Sequence, residues 1–571
     1  MPTVRRIKNI KWDEDDLDDY YSDDSDPFEP SSSRIDPRKN VKTKQTEPPK
    51  SVAKNIQIKQ KTKIDTTKKN TDSVPFRNPL NVVVCGAVDA GKSTLLGHIL
   101  SLTNCVDAKL KNVKNYAWIL DQGEDERERN ITIDPTKCQF NLPLPKGSNP
   151  LNYKSIKVNI IDTPGHHDLM HNLILGAVFA NSAIIIIDSN DVLKGSAFDR
   201  YFNEHLLLLY FIGIRYFIIC INKIDKFDYS SKVYTDIVNH ISTLSKIYSK
   251  DSKIIYVPVS GLQGVNLTQV PEDAMNWYSG PSLLQALEEV AIDLISKPVV
   301  VYNDRLLCHI FDLWEVGKTN ISCSCFVEGN EMKVPVNMVV LPNAVEVKCS
   351  KVSFSEVEDV SCGKAIMNSL SDLTCRMGNV SIDTKMEGSQ GAVPKYLNDF
   401  VDNIQLKGAE IINLIPTALM VDCDTFSRIK TNNSSIRQQK ILNLFVFISK
   451  HTQQKLTLGE TVELYVGYSK DCAVITSVSK ILEGNDIKKL KKVFSLNPGE
   501  FGFIGFSCCN TPLFVEPLSQ NHSYINKTIS LLSDIEHEVT ESSEPIGLLS
   551  RALVRCGGNV IAGGIICHNF T

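Results

Sequence analysis

Gly86-Ala87-Val88-Asp89-Ala90-Gly91-Lys92-Ser93 has the G-x-x-x-x-G-K-[ST] spacing of a loop that cradles phosphate. Ahead of it runs Val82-Val83-Val84-Cys85, an apolar run suited to a buried strand. Behind it, Leu95, Leu96, Ile99 and Leu100 recur at helical spacing. Strand, loop and helix are the context such a loop requires. Its glycines let backbone N–H groups turn inward around phosphate oxygens, and the helix N-terminus adds partial positive charge. The candidate phosphate contacts are Gly86, Val88, Asp89, Ala90, Gly91, Lys92, Ser93 and Thr94. Lys92 is placed to reach the outer phosphates, and the Ser93 hydroxyl to ligate Mg²⁺. A glycine turn beside an ordinary surface lysine would have no need of these flanks.

Further apolar runs follow at Val158–Ile161, Ala183–Ile187, Tyr216–Ile221 and Ile254–Val257. Short β-rich runs that are apolar on both faces indicate a parallel sheet covered on both sides. Helical patterns lie between them, for example Asp199 to Ile212 and Ser231 to Tyr248. The fold class expected for residues 76–298 is therefore a doubly wound α/β P-loop domain, with its ligand at the C-terminal strand ends. After Pro298 the period changes. Val345–Cys349 and Thr461–Val466 alternate apolar and polar residues between Gly, Asn and Pro turns, which predicts two β-barrels. Their boundary is expected near Tyr396 to Lys407, giving barrels over 299–396 and 397–571.

Residues 1–75 read differently. An acidic block, Asp13 to Asp24, precedes a basic Ser/Thr/Pro-rich stretch from Arg34 to Lys69, with aliphatic residues too sparse to offset the entropy of ordering. Disorder is expected there. The composition suits a solubilising tail and equally a recognition arm that docks Trp12, Tyr20, Tyr21 and Phe28 on a partner.

The 571 residues, 42% hydrophobic and 22% charged, are those of a soluble multidomain protein. A net charge of −4 argues against a chain tuned as a whole to nucleic acid. No apolar run approaches the ~20 residues that span a bilayer, and Met1 to Arg6 leads into charge rather than a secretory signal. The 16 cysteines are scattered, and Cys323-Ser324-Cys325 and Cys508-Cys509 have no zinc spacing. They are expected as buried small hydrophobes in a reducing, cytoplasmic setting.

Four segments fit one machine with the phosphate loop. Asp162-Thr163-Pro164-Gly165 follows the strand ending at Ile161; Asp162 can hold Mg²⁺ through water and the Gly165 N–H can meet a γ-phosphate oxygen. Asn222-Lys223-Ile224-Asp225 closes the strand ending at Ile221. The Asp225 carboxylate can accept two hydrogen bonds from a guanine edge; adenine would leave it partly unpaired. Asn222 can pin loop and base, and the Lys223 stem can lie on the base face. Ser260, Gly261 and Leu262 can contact the base through backbone N–H. In Asp125–Ile133, a charged helix end runs into Thr132, which can complete the Mg²⁺ shell of a switch ordered by γ-phosphate.

Asp121-Gln122, Glu126–Arg129, Ile131-Thr132-Ile133, Asp162–His166 and Trp277–Leu284 resemble the elongation factor 1-alpha family of translational GTPases. The resemblance covers Asn78 to the C-terminus. It is thinner in the barrels, at Phe326–Gly329, Val339–Pro342, Leu548–Gly558 and Ile561–Ile565. It implies GTP and GDP as ligands, Mg²⁺ held by Ser93, Thr132 and Asp162, and a monomeric factor that acts on the ribosome. It further implies that His166 positions the attacking water behind an apolar gate of Val88 and Ile131. Orientation and electrostatics suffice for this, since phosphoryl transfer asks little covalent help. The chain departs from the family at Asn130, where glycine is usual, and at Ala87, where histidine is common. The connection from Asn141 to Ser155 is longer than usual, which predicts an extended hairpin.

Within the family, Asp89-Ala90-Gly91 resembles the rescue and termination members rather than the aminoacyl-tRNA carrier. The opening, Val4 to Leu17, runs from basic-aromatic to acidic and resembles the rescue GTPase that partners Pelota in no-go and non-stop decay. It lacks the Gln/Asn/Gly-rich extension common in the termination GTPase. No clear helical mini-domain follows Asp24. The resemblance thus implies delivery of a tRNA-mimicking release protein, Pelota, to stalled ribosomes. The alternatives are a termination GTPase of the eukaryotic release factor 3 type and an aminoacyl-tRNA carrier. From other classes come a GTP-binding scaffold without turnover and an ATP-using enzyme, against which Asn222–Asp225 speaks.

Overall fold

The computed structural model describes residues 79–102, 116, 120, 136–145, 147, 153–192, 195–271, 273–297, 305–316, 320–329, 332, 334–353, 367–368, 399–408, 418–481, 490–518, 522–532 and 546–568. The N-terminal extension and the segment Asp121–Ile133, with Asn130, Ile131 and Thr132, lie outside the described residues.

The α/β domain contains β1 (Leu80–Gly86), α1 (Lys92–Leu102), β2 (Thr136–Pro143), β3 (Ser155–Asp162), α2 (Met170–Ala177) and β4 (Ser182–Asp188). Then come α3 (Ser196–Ile212), β5 (Tyr216–Asn222), α4 (Ser231–Ser245), β6 (Lys253–Pro258) and α5 (Leu283–Ser296). The sheet runs β2-β3-β1-β4-β5-β6, parallel except for β2, and Met367–Asn368 pairs antiparallel along the β2 edge. Alternation builds two layers. Val82, Val84, Ile184 and Ile186 join the core under α1 and α5, whereas Val83, Cys85, Ile185 and Ile187 join the core under α2 and α3. Ser282 caps α5 in a reciprocal box with Gln285. The extended hairpin is present: β2 and β3 pair from Thr136 opposite Asp162 to Pro143 opposite Ser155, and the Leu144 N–H donates to Lys154 O at 2.8 Å beyond them.

Two β-barrels follow. The first closes from six strands: Leu306–Val316, Asn320–Gly329, Val336–Leu341, Val345–Ser353, Asp399–Lys407 and Leu419–Asp422. The boundary expected near Tyr396 to Lys407 is therefore displaced. Asp399–Lys407 pairs with both Asn320–Gly329 and Val345–Ser353, and Leu419–Asp422 bridges the first and third strands. Without these two strands the barrel stays open, so the second begins beyond Asp422. Its six strands are Ile441–Ile448, Thr461–Val466, Ser469–Ile481, Phe501–Cys508, Arg551–Cys556 and Asn559–Cys567, closed by pairing of Thr461–Val466 with Ser469–Ile481. The last two form a hairpin around Gly557-Gly558, both at positive φ.

The expectation of buried cysteines holds for Cys323, Cys325 and Cys508 but not for Cys423, Cys472 and Cys509, which are exposed. Cys472 falls on the outward phase of its alternating strand, between buried Asp471 and Ala473. Among the described residues no helix is long and apolar enough to cross a membrane.

One apolar core runs through all three domains. Phe179, just beyond α2, stacks on Phe326 of the first barrel at 4.5 Å and on Tyr468 of the second at 5.4 Å. Beside it, Lys157 of β3 donates to Asp399 Oδ2 at 2.8 Å, and Asn159 Nδ2 donates to Asp399 Oδ1 at 3.1 Å, all three buried. Arg305 joins the barrels, donating to Glu328 Oε1 at 2.9 Å and to Glu516 Oε1 at 2.6 Å. Burial works to raise the Glu328 carboxyl, but His309 and Arg305 bring it below its ordinary range.

Candidate functional site

The phosphate loop crosses the C-terminal strand ends where the order reverses around β1, the place an open α/β sheet offers a ligand. Asp89 takes φ +61° and Gly91 φ +91° within the loop. A Cβ at Gly91 would stand 2.6 Å from Asn222 Nδ2, so glycine is required there twice over.

At the phosphate end, Lys92 opens α1 and is 7% exposed. Its Nζ donates to Gly86 O and Ala87 O, each at 3.0 Å. The turn after β3 passes close above it: a Cβ at Gly165 would meet Lys92 Nζ at 2.2 Å. Thr163 Oγ1 donates to Val84 O at 2.7 Å and fixes this turn to β1. Ser93 Oγ donates to Asp162 Oδ2 at 3.0 Å, and Asp162 is fully buried. A hydroxyl and a carboxylate in contact beside a phosphate loop form a hard-oxygen donor set, which suits Mg²⁺ shared with a ligand's phosphates. Cys85, beneath the loop, is pushed up to about 12 by burial, against the pull of Lys92, and stays a thiol.

At the base end, Asn222 ties three segments together. Its Nδ2 donates to Ala90 O at 2.7 Å, while its Oδ1 accepts from the Gly261 and Lys223 N–H groups, both at 2.9 Å. Lys223, at φ +61°, reaches back across the loop to donate to Asp89 O, and to Asp188 Oδ2 at 2.9 Å. Burial raises the Asp188 carboxyl, but the hydrogen bonds from Lys223 and the Asn190 N–H outweigh it and hold the group below its ordinary value. Asp225 sits half-exposed on the turn Ile224–Phe227. Ser260 is buried and Leu262 is 71% exposed on the neighbouring loop.

The fold thus gathers Gly86, Ala90, Gly91, Lys92, Ser93, Asp162 and Gly165 at one end of a cleft and Asn222, Lys223 and Gly261 at the other, coupled through Ala90 and Asp89. Thr94 is half-buried on α1 and Val88 is 39% exposed at the loop tip. His166 stands apart: its side chain is 51% exposed, with Nδ1 3.2 Å from Asp168 Oδ2. Two participants escaped the sequence reading. Asp188 ends an isoleucine run at a strand terminus, as Asp162 does, and that parallel was the available signal. His98 donates from Nδ1 to Gly261 O at 2.8 Å and stacks on Tyr116 at 4.0 Å; its position inside an ordinary helical stretch gave no signal.

Residues 77–294 match the family profile described as the elongation factor Tu GTP binding domain. Elongation factor 1-alpha of Caldivirga maquilingensis is 33% identical over 292 residues, which span 48% of this chain and 62% of that protein. Elongation factor 1-alpha 2 of Euplotes crassus is 36% identical over 245 residues, or 39% of this chain and 52% of that protein. The alignments thus span between half and two thirds of these relatives' own lengths. In fold, the chain is similar to the Ski7 GTPase-like domain of S. cerevisiae bound to GTP (TM-score 0.59, 17% identity, 86% of this chain and 98% of that one). It is also similar to the elongation factor SelB of Methanococcus maripaludis in complex with the GTP analogue GPPNHP (TM-score 0.52, 14% identity, 86% and 80% covered). The chain is similar to translational GTPases, and its α/β domain is of the GTP-binding kind they carry.

Proposed function

We propose that this chain is a GTP-hydrolysing translation factor of the elongation factor 1-alpha family, and that it delivers a Pelota-type, tRNA-mimicking release protein to stalled ribosomes. The observation that carries the nucleotide part is the Asn222 junction. It joins the phosphate loop, through Ala90, to the base-side loop, through Gly261, so one side chain senses both ends of a bound nucleotide. Asp225, next to it, selects guanine by accepting from the ring N–H and the 2-amino group, and the Lys223 stem and Leu262 flank the base. Lys92, poised under Gly165, meets the outer phosphates. Ser93 and Asp162, with Thr132, would hold Mg²⁺, which when bound would neutralise charge on the phosphate oxygens. His166 turns from Asp168 toward the γ-phosphate when the ribosome docks and orients the water. The Pelota reading rests on the opening Val4–Leu17 and on Ala90. A cytoplasmic location accompanies it.

Single-turnover hydrolysis of GTP, with and without ribosomes and with ATP as competitor, tests the activity. Ribosome stimulation lost in His166→Ala is expected; indifference to excess GTP in an ATP-binding assay would refute the guanine reading. Affinity purification is expected to recover Pelota, and recovery of the class 1 release factor in its place would overturn the rescue assignment. The exposed His166 beside Asp168, and Asn130 in place of glycine, favour one second reading, a GTP-binding scaffold without turnover. On that reading ribosomes leave hydrolysis unchanged and His166→Ala matches the wild type.

A further inference from the structure

Far along the chain from the nucleotide cleft, the second barrel carries a strip that the proposed function leaves unused. The sequence Leu490-Lys491-Lys492-Val493-Phe494 places two lysines ahead of an aromatic ring. Leu490–Lys492 is an edge strand, paired only with the end of Ser469–Ile481, Lys492 opposite Ser479. Val493 packs inward on the barrel core, its N–H donating to Val478 O at 3.1 Å. Phe494, in the bend that follows the strand, is 68% exposed. The Leu458 N–H donates to Phe494 O at 2.9 Å, which joins the two backbones. Seven large apolar residues among those described are more than a third exposed, and three of them, Leu458, Leu490 and Phe494, belong to this strip. Lys491 and Lys492 are exposed. Among the described residues, Glu500 is engaged with Lys480 at 2.6 Å, and Glu460 with the Thr457 N–H at 2.9 Å.

We propose that this strip binds single-stranded RNA, Phe494 stacking on a base while Lys491 and Lys492 meet the flanking phosphates. A polyanion with accessible π-faces answers both an exposed ring and the paired lysines, and base-on-aromatic stacking needs no particular sequence. A protein strand added to this edge is disfavoured, because the edge is three residues long and lysine-laden, a device that resists strand addition.

The test is fluorescence anisotropy of the full chain with a labelled single-stranded oligo(U) RNA, and with a duplex of equal length, across a salt series. Phe494→Ala is expected to weaken single-strand binding roughly 5- to 100-fold, Phe494→Tyr to retain it, and Phe494→Leu to behave as alanine. Lys491→Gln with Lys492→Gln is expected to lower the salt slope by about 1.4. All three positions are exposed, and an unchanged melting temperature verifies the fold. Phe494→Leu binding as well as wild type would replace stacking by a generic apolar contact and overturn the proposal. Duplex bound as tightly as single strand, or capture of an acidic protein segment with no RNA binding, would do the same.

Discussion

Asn222→Ala probes the cleft at its most connected point. The side chain is 2% exposed and makes three hydrogen bonds, so truncation strands the Ala90 carbonyl and the Gly261 N–H in a buried setting. Each unsatisfied buried group costs about 1–3 kcal/mol. The two sum to about 2–6 kcal/mol, and relaxation toward solvent at the loop edges brings the expected local loss to about 2–4 kcal/mol. At tenfold per 1.4 kcal/mol this is a roughly 30- to 700-fold fall in hydrogen-exchange protection of the Gly261 amide. Nucleotide affinity should fall by a similar factor, because the loops must be re-ordered on binding. Asn222→Asp separates the two ends. Its carboxylate still accepts from Gly261, preserving protection there, but faces the Ala90 carbonyl with no proton to donate, so the phosphate loop alone loosens. Mass-spectrometric exchange over residues 258–264 reads the first effect, and fluorescent-nucleotide titration the second. Unchanged Gly261 protection in Asn222→Ala, with affinity within twofold of wild type, would refute the junction.

Gly91→Ala is expected to abolish nucleotide binding in titration while circular dichroism stays native, since φ +91° and a Cβ 2.6 Å from Asn222 Nδ2 strain the loop alone. The Asp188–Lys223 pair predicts a pH dependence. The folded Asp188 value lies below its ordinary 3.8, so its stabilising contribution is complete above that value and is lost as pH falls through the folded one. Acid denaturation of Asp188→Asn should therefore be flatter than wild type below about pH 4. Arg305→Ala leaves the buried Glu328 carboxylate without its guanidinium and should cost about 3–5 kcal/mol, read by calorimetry as earlier unfolding of the barrels with nucleotide binding preserved. His166→Ala, in the ribosome assay above, should lower stimulated hydrolysis and leave GTP affinity within twofold.

Legibility in the sequence followed the range of each constraint. The phosphate loop, β1 and α1 are contiguous, and their demands for glycine, an apolar run and a 3.6-residue period were all visible there. The α/β sheet was equally plain, because Ile184 to Ile187 are apolar on both faces and no half-exposed strand needs that. The barrel boundary was not. Asp399–Lys407 alternates like any antiparallel strand, and which barrel it closes depends on pairing with Asn320–Gly329, some seventy residues away in sequence. Lys157 and Asn159 carried no signal of their partner: both are buried against Asp399, some 240 residues away in sequence. Asp188 was missed because its partner Lys223 lies just past the end of the neighbouring strand β5, and a carboxylate after an apolar run is ordinarily just a strand end.

The apolar core shared by the three domains also bears on how the chain is made. Every residue gathered at the candidate site lies between Gly86 and Gly261, and α5, which completes the core beneath it, ends at Ser296. The apolar face of α3 is different: it ends at Ile212, but its covering residue Leu553 comes roughly 340 residues later. At about 5–20 residues per second, that face waits roughly 17–70 s for its cover. During synthesis the α/β domain therefore carries an uncovered apolar face long after its own strands and helices are complete.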